Sequence, residues 1–161
     1  MDVFDAEKRS AVMRAIRSKD TKPEIAVRSA LHRLGFRFRL HRKDLPGKPD
    51  IVMPSLRVAV QVRGCFWHQH SCHDGRIPGS RQDYWIPKLQ RNVERDRGAD
   101  DELRALGWVV IVIWECQCAA KTLPSTIEGL AKQLLVVRRT LRGAGAAPSD
   151  RGTEGQSTGQ S

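Results

Sequence analysis

Between Arg63 and His73 the chain holds two of its four cysteines, three of its five histidines and the adjacent pair Phe66-Trp67. The run follows directly on an apolar segment, Arg57-Val58-Ala59-Val60-Gln61-Val62, that reads as a strand. Cys65-x2-His68, Cys65-x4-His70 and His70-x-Cys72 are spacings that suit Zn²⁺, and a closed structural site needs four ligands. A natural fourth lies far along the chain, after the apolar run Trp108–Trp114, where Cys116 follows Glu115 and Cys118 lies two residues further. Cys65, His70, Cys72 and Cys116 make a Cys₃His set, with Cys118 as the alternative fourth ligand. Closing it would tie the loop after one strand to the end of another, which restricts the possible folds sharply. Zinc would then act as a staple, leaving His68 free as an acid or base.

Charge indicates the partner. The 161 residues carry 28 Lys+Arg against 18 Asp+Glu, a net +10, and such an excess favours a polyanion, most often nucleic acid. No apolar run approaches the about 18 residues of a membrane span, and Met1-Asp2-Val3-Phe4-Asp5 lacks the basic start and apolar core of a signal peptide. A cytoplasmic protein is expected, with reduced thiols that serve metal or catalysis rather than disulfides. The absence of Cys-x-x-Cys disfavours a thiol redox protein. From Arg142 to Ser161 no large apolar side chain occurs, so residues 142–161 are expected as a disordered tail behind one domain, 1–141.

Taken in order, Glu7 to Arg17 reads as a helix within an N-terminal arm, 1–19. A second helix starts at Thr21, with Pro23 in its first turn, a capping box Thr21-x-x-Glu24, apolar positions Ile25, Leu31 and Leu34, and Gly35 as the stop. Phe36–Leu40 alternates as a strand, Leu45–Pro49 is a turn, Asp50–Met53 and Arg57–Val62 are strands, and the three form an antiparallel meander. Residues 75–87 read as loop and Lys88–Leu106 as a charged helix ended by Gly107. Trp108–Trp114 is expected as a central strand buried on both faces, with both tryptophans in the core. Ser125-x-x-Glu128 caps a last helix whose Ile127, Leu130, Ala131, Leu134, Val137 and Leu141 form one stripe. The sum is an α/β domain: one mixed sheet with helices packed against it.

Several residues carry two readings. Asp50, opening a strand after Pro49, is either a turn residue or a ligand for a hard cation such as Mg²⁺. Glu24 is either half of the capping box or a second carboxylate reaching that metal or its waters. Phe66, Trp67 and Trp85 are either core or exposed aromatics that wedge between bases. Lys88 and Asn92 lie just after Trp85 and are types that hold phosphates or read base edges.

Read together, these segments resemble the very short patch repair (Vsr) mismatch endonucleases. The resemblance runs through Met13-Arg14-Ala15-Ile16, Asp20-Thr21-x-x-Glu24, Leu45-Pro46-Gly47-Lys48-Pro49-Asp50, Gly64-Cys65-Phe66-Trp67-His68-x-His70-x-Cys72, Asn92-Val93-Glu94-Arg95-Asp96-Arg97, Leu106-Gly107-Trp108 and Trp114-Glu115-Cys116. It implies a restriction-endonuclease-like fold and a strand-specific nick at T·G mismatches, the product of 5-methylcytosine deamination. It implies Asp50 and the Val62 backbone carbonyl as Mg²⁺ ligands, His68 as the catalytic histidine and Glu24 as a glutamate of the site. Phe66, Trp67 and Trp85 would intercalate, Met13, Lys88 and Asn92 would approach the mismatch, and Zn²⁺ would sit in the Cys₃His set. The chain departs from the family where a well-known form has Thr-His and this one has Val62-Arg63. A backbone carbonyl survives the first change, and Arg63 is expected to hold the scissile phosphate or its developing charge in place of the lost imidazole. Gln61-Val62-Arg63 also lines up, in degenerate form, with the Glu-x-Lys half of the wider nuclease signature.

The expected partner is therefore double-stranded DNA with a T·G mismatch, met by a monomer on the prokaryotic nucleoid, with other repair proteins as further partners. The rival is a non-catalytic, zinc-stapled module that binds mismatches for other proteins to process.

Overall fold

The computed structural model describes residues 20–145; the arm 1–19, with its expected helix and Met13, and residues 146–161 lie outside this range. Helix α1 spans Lys22–Arg33, followed by β1 (Arg39–Leu40), β2 (Ile51–Met53) and β3 (Val58–Arg63). Helix α2 (Gln82–Ala105), strand β4 (Val109–Trp114) and helix α3 (Leu123–Gly145) complete the order, with short 3₁₀ turns at His73–Gly75 and Glu115–Cys118.

Among the described residues the sheet is four-stranded, ordered β1-β2-β3-β4. Short connections link the first three strands, which pair antiparallel, Arg39 facing Val52, Ile51 facing Val60 and Met53 facing Val58, as the meander predicted. The β1–β2 connection turns on Gly47 (φ +71°), where an added Cβ would meet Ala99 Cβ at 2.8 Å. β4 runs parallel to β3, from Val58↔Val109 to Arg63↔Trp114. A parallel pair needs a long crossover, and α2 lies within it.

Alternation divides the sheet into two faces. Ile51, Met53, Val58 and Val60 pack with Val27 and Leu31 of α1 and Ile127, Leu130 and Leu134 of α3. Val52 and Ala59 are buried on the opposite face, where α2 reaches the sheet through Asp100. The result is a helix–sheet–helix sandwich. None of the described helices is long and apolar enough to cross a membrane.

The structure corrects several expectations. In α1 only Leu31 of the three apolar positions is buried; Ile25 and Leu34 are exposed, and Val27 takes their place. The helix ends in a Schellman motif around Gly35, with Phe36 N–H donating to the Leu31 carbonyl (3.1 Å). Phe36 thus belongs to the helix end, and the strand shrinks to Arg39–Leu40. Helix α2 begins at Gln82, six residues before Lys88, and carries Pro87 inside it; the proline had read as a boundary. β4 is an edge strand among the described residues, with Val109 exposed and Ile113 its one buried residue, and neither Trp108 nor Trp114 joins the core. Helix α3 starts at Leu123, and Ser125 Oγ donates back to the Thr122 carbonyl instead of capping. Leu141 is exposed, and the helix continues four residues past it to Gly145.

The corrected face of α1 is testable by chemical denaturation. Leu31→Ala should cost about 2–5 kcal/mol, as for other fully buried leucines, whereas Leu34→Ala should stay within about 0.5 kcal/mol.

Candidate active site and metal centre

The parallel register of β3 and β4 brings the two halves of the Cys/His cluster together. Arg63 faces Trp114, so the same offset carries Cys65 and Cys116 to one level just beyond the strand ends. Cys116 N–H donates to Cys65 Sγ (3.4 Å), and His70 Nδ1 lies 3.5 Å from Cys116 Sγ. One donor atom from each of Cys65, His70, Cys72 and Cys116 lies within 4.8 Å of all the others. Tetrahedral bonds of about 2.0–2.3 Å separate ligand atoms by roughly 3.3–3.8 Å, so the set fits a metal ion with little movement. Cys118 lies outside it, its Sγ donating to the Trp114 carbonyl (3.5 Å). Burial pushes the Cys65 thiol up to about 12, an environment that a cation reverses by deprotonating its ligands.

The loop is built around this cluster. His70 N–H donates to the Cys65 carbonyl (2.9 Å), and the Gln69 amide bridges the carbonyls of Phe66 and Gly75. Residue 75 must be glycine, because a Cβ there would meet the His70 carbonyl oxygen at 1.9 Å. Trp114, expected in the core, instead stacks on the His70 ring at 4.3 Å and 14°.

A second centre lies where the β2–β3 ladder ends. Continuing the register past Ile51↔Val60 sets Pro49 opposite Val62. Proline has no N–H to give the Val62 carbonyl, and the Val62 N–H turns instead to Asp50 Oδ2 (2.8 Å). A strand residue presents N–H and C=O to the same side, so the Val62 carbonyl also faces the Asp50 side. Burial raises the Asp50 carboxyl to about 6; the Val62 amide opposes this, and the neighbouring Glu24 carboxylate adds to it. Two acidic groups crowded out of water are relieved by a cation, and this donor set suits a hard one.

Glu24 keeps both of its readings. Thr21 Oγ1 accepts from the Glu24 N–H (3.4 Å), as a cap should, but the carboxylate accepts from Asp20 N–H (3.0 Å) rather than from the cap residue. Buried on α1, it also accepts from Arg28 Nη1 (3.1 Å) and meets His41 Nε2 at 2.6 Å.

His68 stands apart from these carboxylates; no hydrogen bond links it to Asp50 or Glu24. Its Nδ1 lies 2.5 Å from Asp96 Oδ2, on α2. Asp96 was missed because it sits in a charge run that reads as a solvated helix face. The available signal was its place within Asn-Val-Glu-Arg-Asp-Arg, which puts it on the helix that crosses from β3 to β4. An aspartate on Nδ1 fixes the tautomer and leaves Nε2 as the basic nitrogen.

The aromatic residues gather in one cluster. Phe66 meets Trp67 and Trp85 edge-on at 5.0 and 5.3 Å, Trp67 and Trp85 are 5.9 Å apart, and exposed Tyr84 extends the group against Trp85 (5.0 Å). Lys88 Nζ lies 5.9 Å from the Trp67 ring centroid and 3.0 Å from the Tyr84 hydroxyl. Asn92 is buried, and its amide donates to the Trp67 carbonyl (3.1 Å); it braces the aromatic loop from α2.

Arg63 is also buried, and its guanidinium donates to Asp100 Oδ1 at 2.7 Å, so its charge is neutralised inside the protein. Removing one partner of such a pair strands the other. Asp100→Ala should therefore cost about 3–5 kcal/mol in urea unfolding, while Arg63→Met with Asp100→Leu should cost clearly less than the single change.

The model of the family described as DNA mismatch endonuclease Vsr matches residues 1–74. The chain is 54% identical over 116 residues to the type II nicking enzyme V.XorIIP of Xanthomonas oryzae pv. oryzae, covering 72% of this chain and 85% of that protein. It is 47% identical over 122 residues to the type II nicking enzyme V.NmeAIP of Neisseria meningitidis, covering 76% and 87%. It is 43% identical over 133 residues to the DNA mismatch endonuclease Vsr of Escherichia coli, covering 83% and 85%. With these likenesses the chain belongs to the Vsr family of DNA mismatch endonucleases.

Proposed function

We propose that the protein is a Mg²⁺-dependent endonuclease that nicks one DNA strand at T·G mismatches to start very short patch repair. The observation that carries this reading is the bond from the Val62 amide to the Asp50 carboxylate beside buried Glu24, at a strand end closed by Pro49. The sheet, with helices on both faces and acidic groups where β2 meets β3, supports a restriction-endonuclease-like fold. The setting proposed is the prokaryotic cytoplasm, with a monomer acting on nucleoid DNA.

Asp50 and the Val62 carbonyl would hold Mg²⁺, with Glu24 reaching it or its waters; when bound it supplies charge stabilisation for the phosphodiester and acidifies its water. His68 takes the proton of the attacking water on Nε2, while Asp96 steadies the imidazolium through Nδ1. The water oxygen forms the new bond to phosphorus and the bond to the 3′ oxygen breaks, leaving a 5′-phosphate and a 3′-hydroxyl. Phe66, Trp67 and Trp85 test the stack, since unstacking is least costly at a weak pair. Lys88 serves the same surface, and Asn92 and the Arg63–Asp100 pair hold the loop and α2 in place. Zn²⁺ in Cys65, His70, Cys72 and Cys116 pins the loop that carries His68.

Two measurements test this. With Mg²⁺, the protein should nick a T·G duplex and spare the matched one, and His68→Ala or Asp50→Ala should slow the single-turnover rate by about 100-fold or more. Omitting Mg²⁺ is the proper control, because EDTA would also strip zinc. Tight binding of the T·G duplex without a nick would leave the binding module as the correct reading. Elemental analysis should find one zinc per chain, lost in Cys116→Ser and kept in Cys118→Ser, with the melting temperature of the former down by roughly 10 °C.

A further inference from the structure

His41 touches both acidic residues of the candidate Mg²⁺ site. It ends β1 with φ +49°, in the left-handed region that costs a non-glycine residue about 1–2 kcal/mol. Such a conformation persists where the surroundings over-determine it, and two bonds do so here. The His41 backbone N–H donates to the Asp50 carbonyl at 3.0 Å. Its ring Nε2 donates to Glu24 Oε1 at 2.6 Å. The other Glu24 oxygen accepts from Arg28 Nη1 and Asp20 N–H, while Oε1 is turned to His41, so this bond helps set how the carboxylate is rotated. The ring is half-buried, and the Asp20 carboxylate lies 4.0 Å from Nε2.

Asp20, Glu24 and His41 also offer donor atoms close enough together for a cation. The Arg28 guanidinium already bridges Asp20 (2.7 Å) and Glu24 (3.1 Å), and a resident cation charge disfavours a second one. The three groups form a bracket around Glu24 rather than a metal site of their own.

We propose that His41 is a positioning residue for the nicking reaction: by gripping the Asp50 backbone and the Glu24 carboxylate at once, it holds the two acids together as one cation-binding pair. The proposal rests on the reading of Asp50 and Glu24 as the Mg²⁺ site. It predicts that His41 acts through its hydrogen bond, as residues bonded to metal ligands do when their loss weakens metal affinity about 10–100-fold.

Asparagine and glutamine separate the hydrogen bond from the fold. Asn tolerates the left-handed backbone and keeps the backbone N–H, but its amide stops short of Glu24; Gln places an amide nitrogen near the position of Nε2. Mn²⁺ serves as the probe, titrated into the full, zinc-loaded chain on a T·G duplex, with free ion read by electron paramagnetic resonance and Asp50→Ala as the baseline. His41→Asn should weaken Mn²⁺ binding at least tenfold and raise the Mn²⁺ needed for half-maximal nicking in step, with His41→Gln within about threefold of wild type. Wild-type affinity in His41→Asn, or equal losses in Asn and Gln, would overturn the proposal while leaving the metal site intact. Mn²⁺ binding that persists in Asp50→Ala would overturn the metal-site reading itself.

Discussion

The parallel pairing of β3 with β4 is the constraint on which the rest depends. It sets Arg63 against Trp114, so the residues just beyond each strand meet, and Cys65 and Cys116 can share one site. A parallel neighbour cannot be reached by a tight turn, so the chain must cross over. The crossover supplies α2, and α2 supplies Trp85, Lys88, Asn92, Asp96 and Asp100. Each of these holds something at the end of β3: the aromatic loop, the His68 imidazole or the Arg63 guanidinium.

On the other side of β3 the pairing stops for a reason readable from one residue. Pro49 cannot extend the ladder, and the vacated Val62 amide is taken by Asp50. The acidic centre is therefore made by the failure of a strand pair, with Glu24 brought against it by α1. Burial, with the neighbouring Glu24 carboxylate adding to it, raises the Asp50 carboxyl to about 6, which opposes stability near neutrality in the metal-free protein. Its folded pKa exceeds its unfolded one, so the cost grows as pH rises from about 4 to 6 and is fully present above that. A cation held there, as proposed, would relieve that cost.

The motifs were more legible than the elements that carry them. Cys65, His70 and Cys72 announce themselves by spacing, and the register brings Cys116 rather than Cys118 to them because only the former lies opposite Cys65. Strand order through β3 followed from short turns. The edge position of β4 did not, since an apolar run looks the same whether covered on both faces or partly exposed as here. Pro87 reads as a boundary in the sequence, yet helix α2 runs through it from Gln82. No local pattern marks Asp100 or His41, because each bonds to a partner distant in sequence, whereas Asp96 carries a local signal in Asn-Val-Glu-Arg-Asp-Arg that its charge run masks. Arg63 was expected at the phosphate because its partner Asp100 lies on a helix whose face could not be assigned in advance.

The central claim is that two separate metal centres flank β3: a thiolate-rich one that pins the loop and an oxygen-rich one that serves the reaction. Crystals of the protein on a T·G duplex, grown with Mn²⁺ and measured at the zinc and manganese absorption edges, test it directly. The account predicts a zinc signal among Cys65, His70, Cys72 and Cys116 and a manganese signal between Asp50 and the Val62 carbonyl. Manganese within the cysteine cluster, or an acidic centre without any ion in the presence of bound DNA, would contradict it.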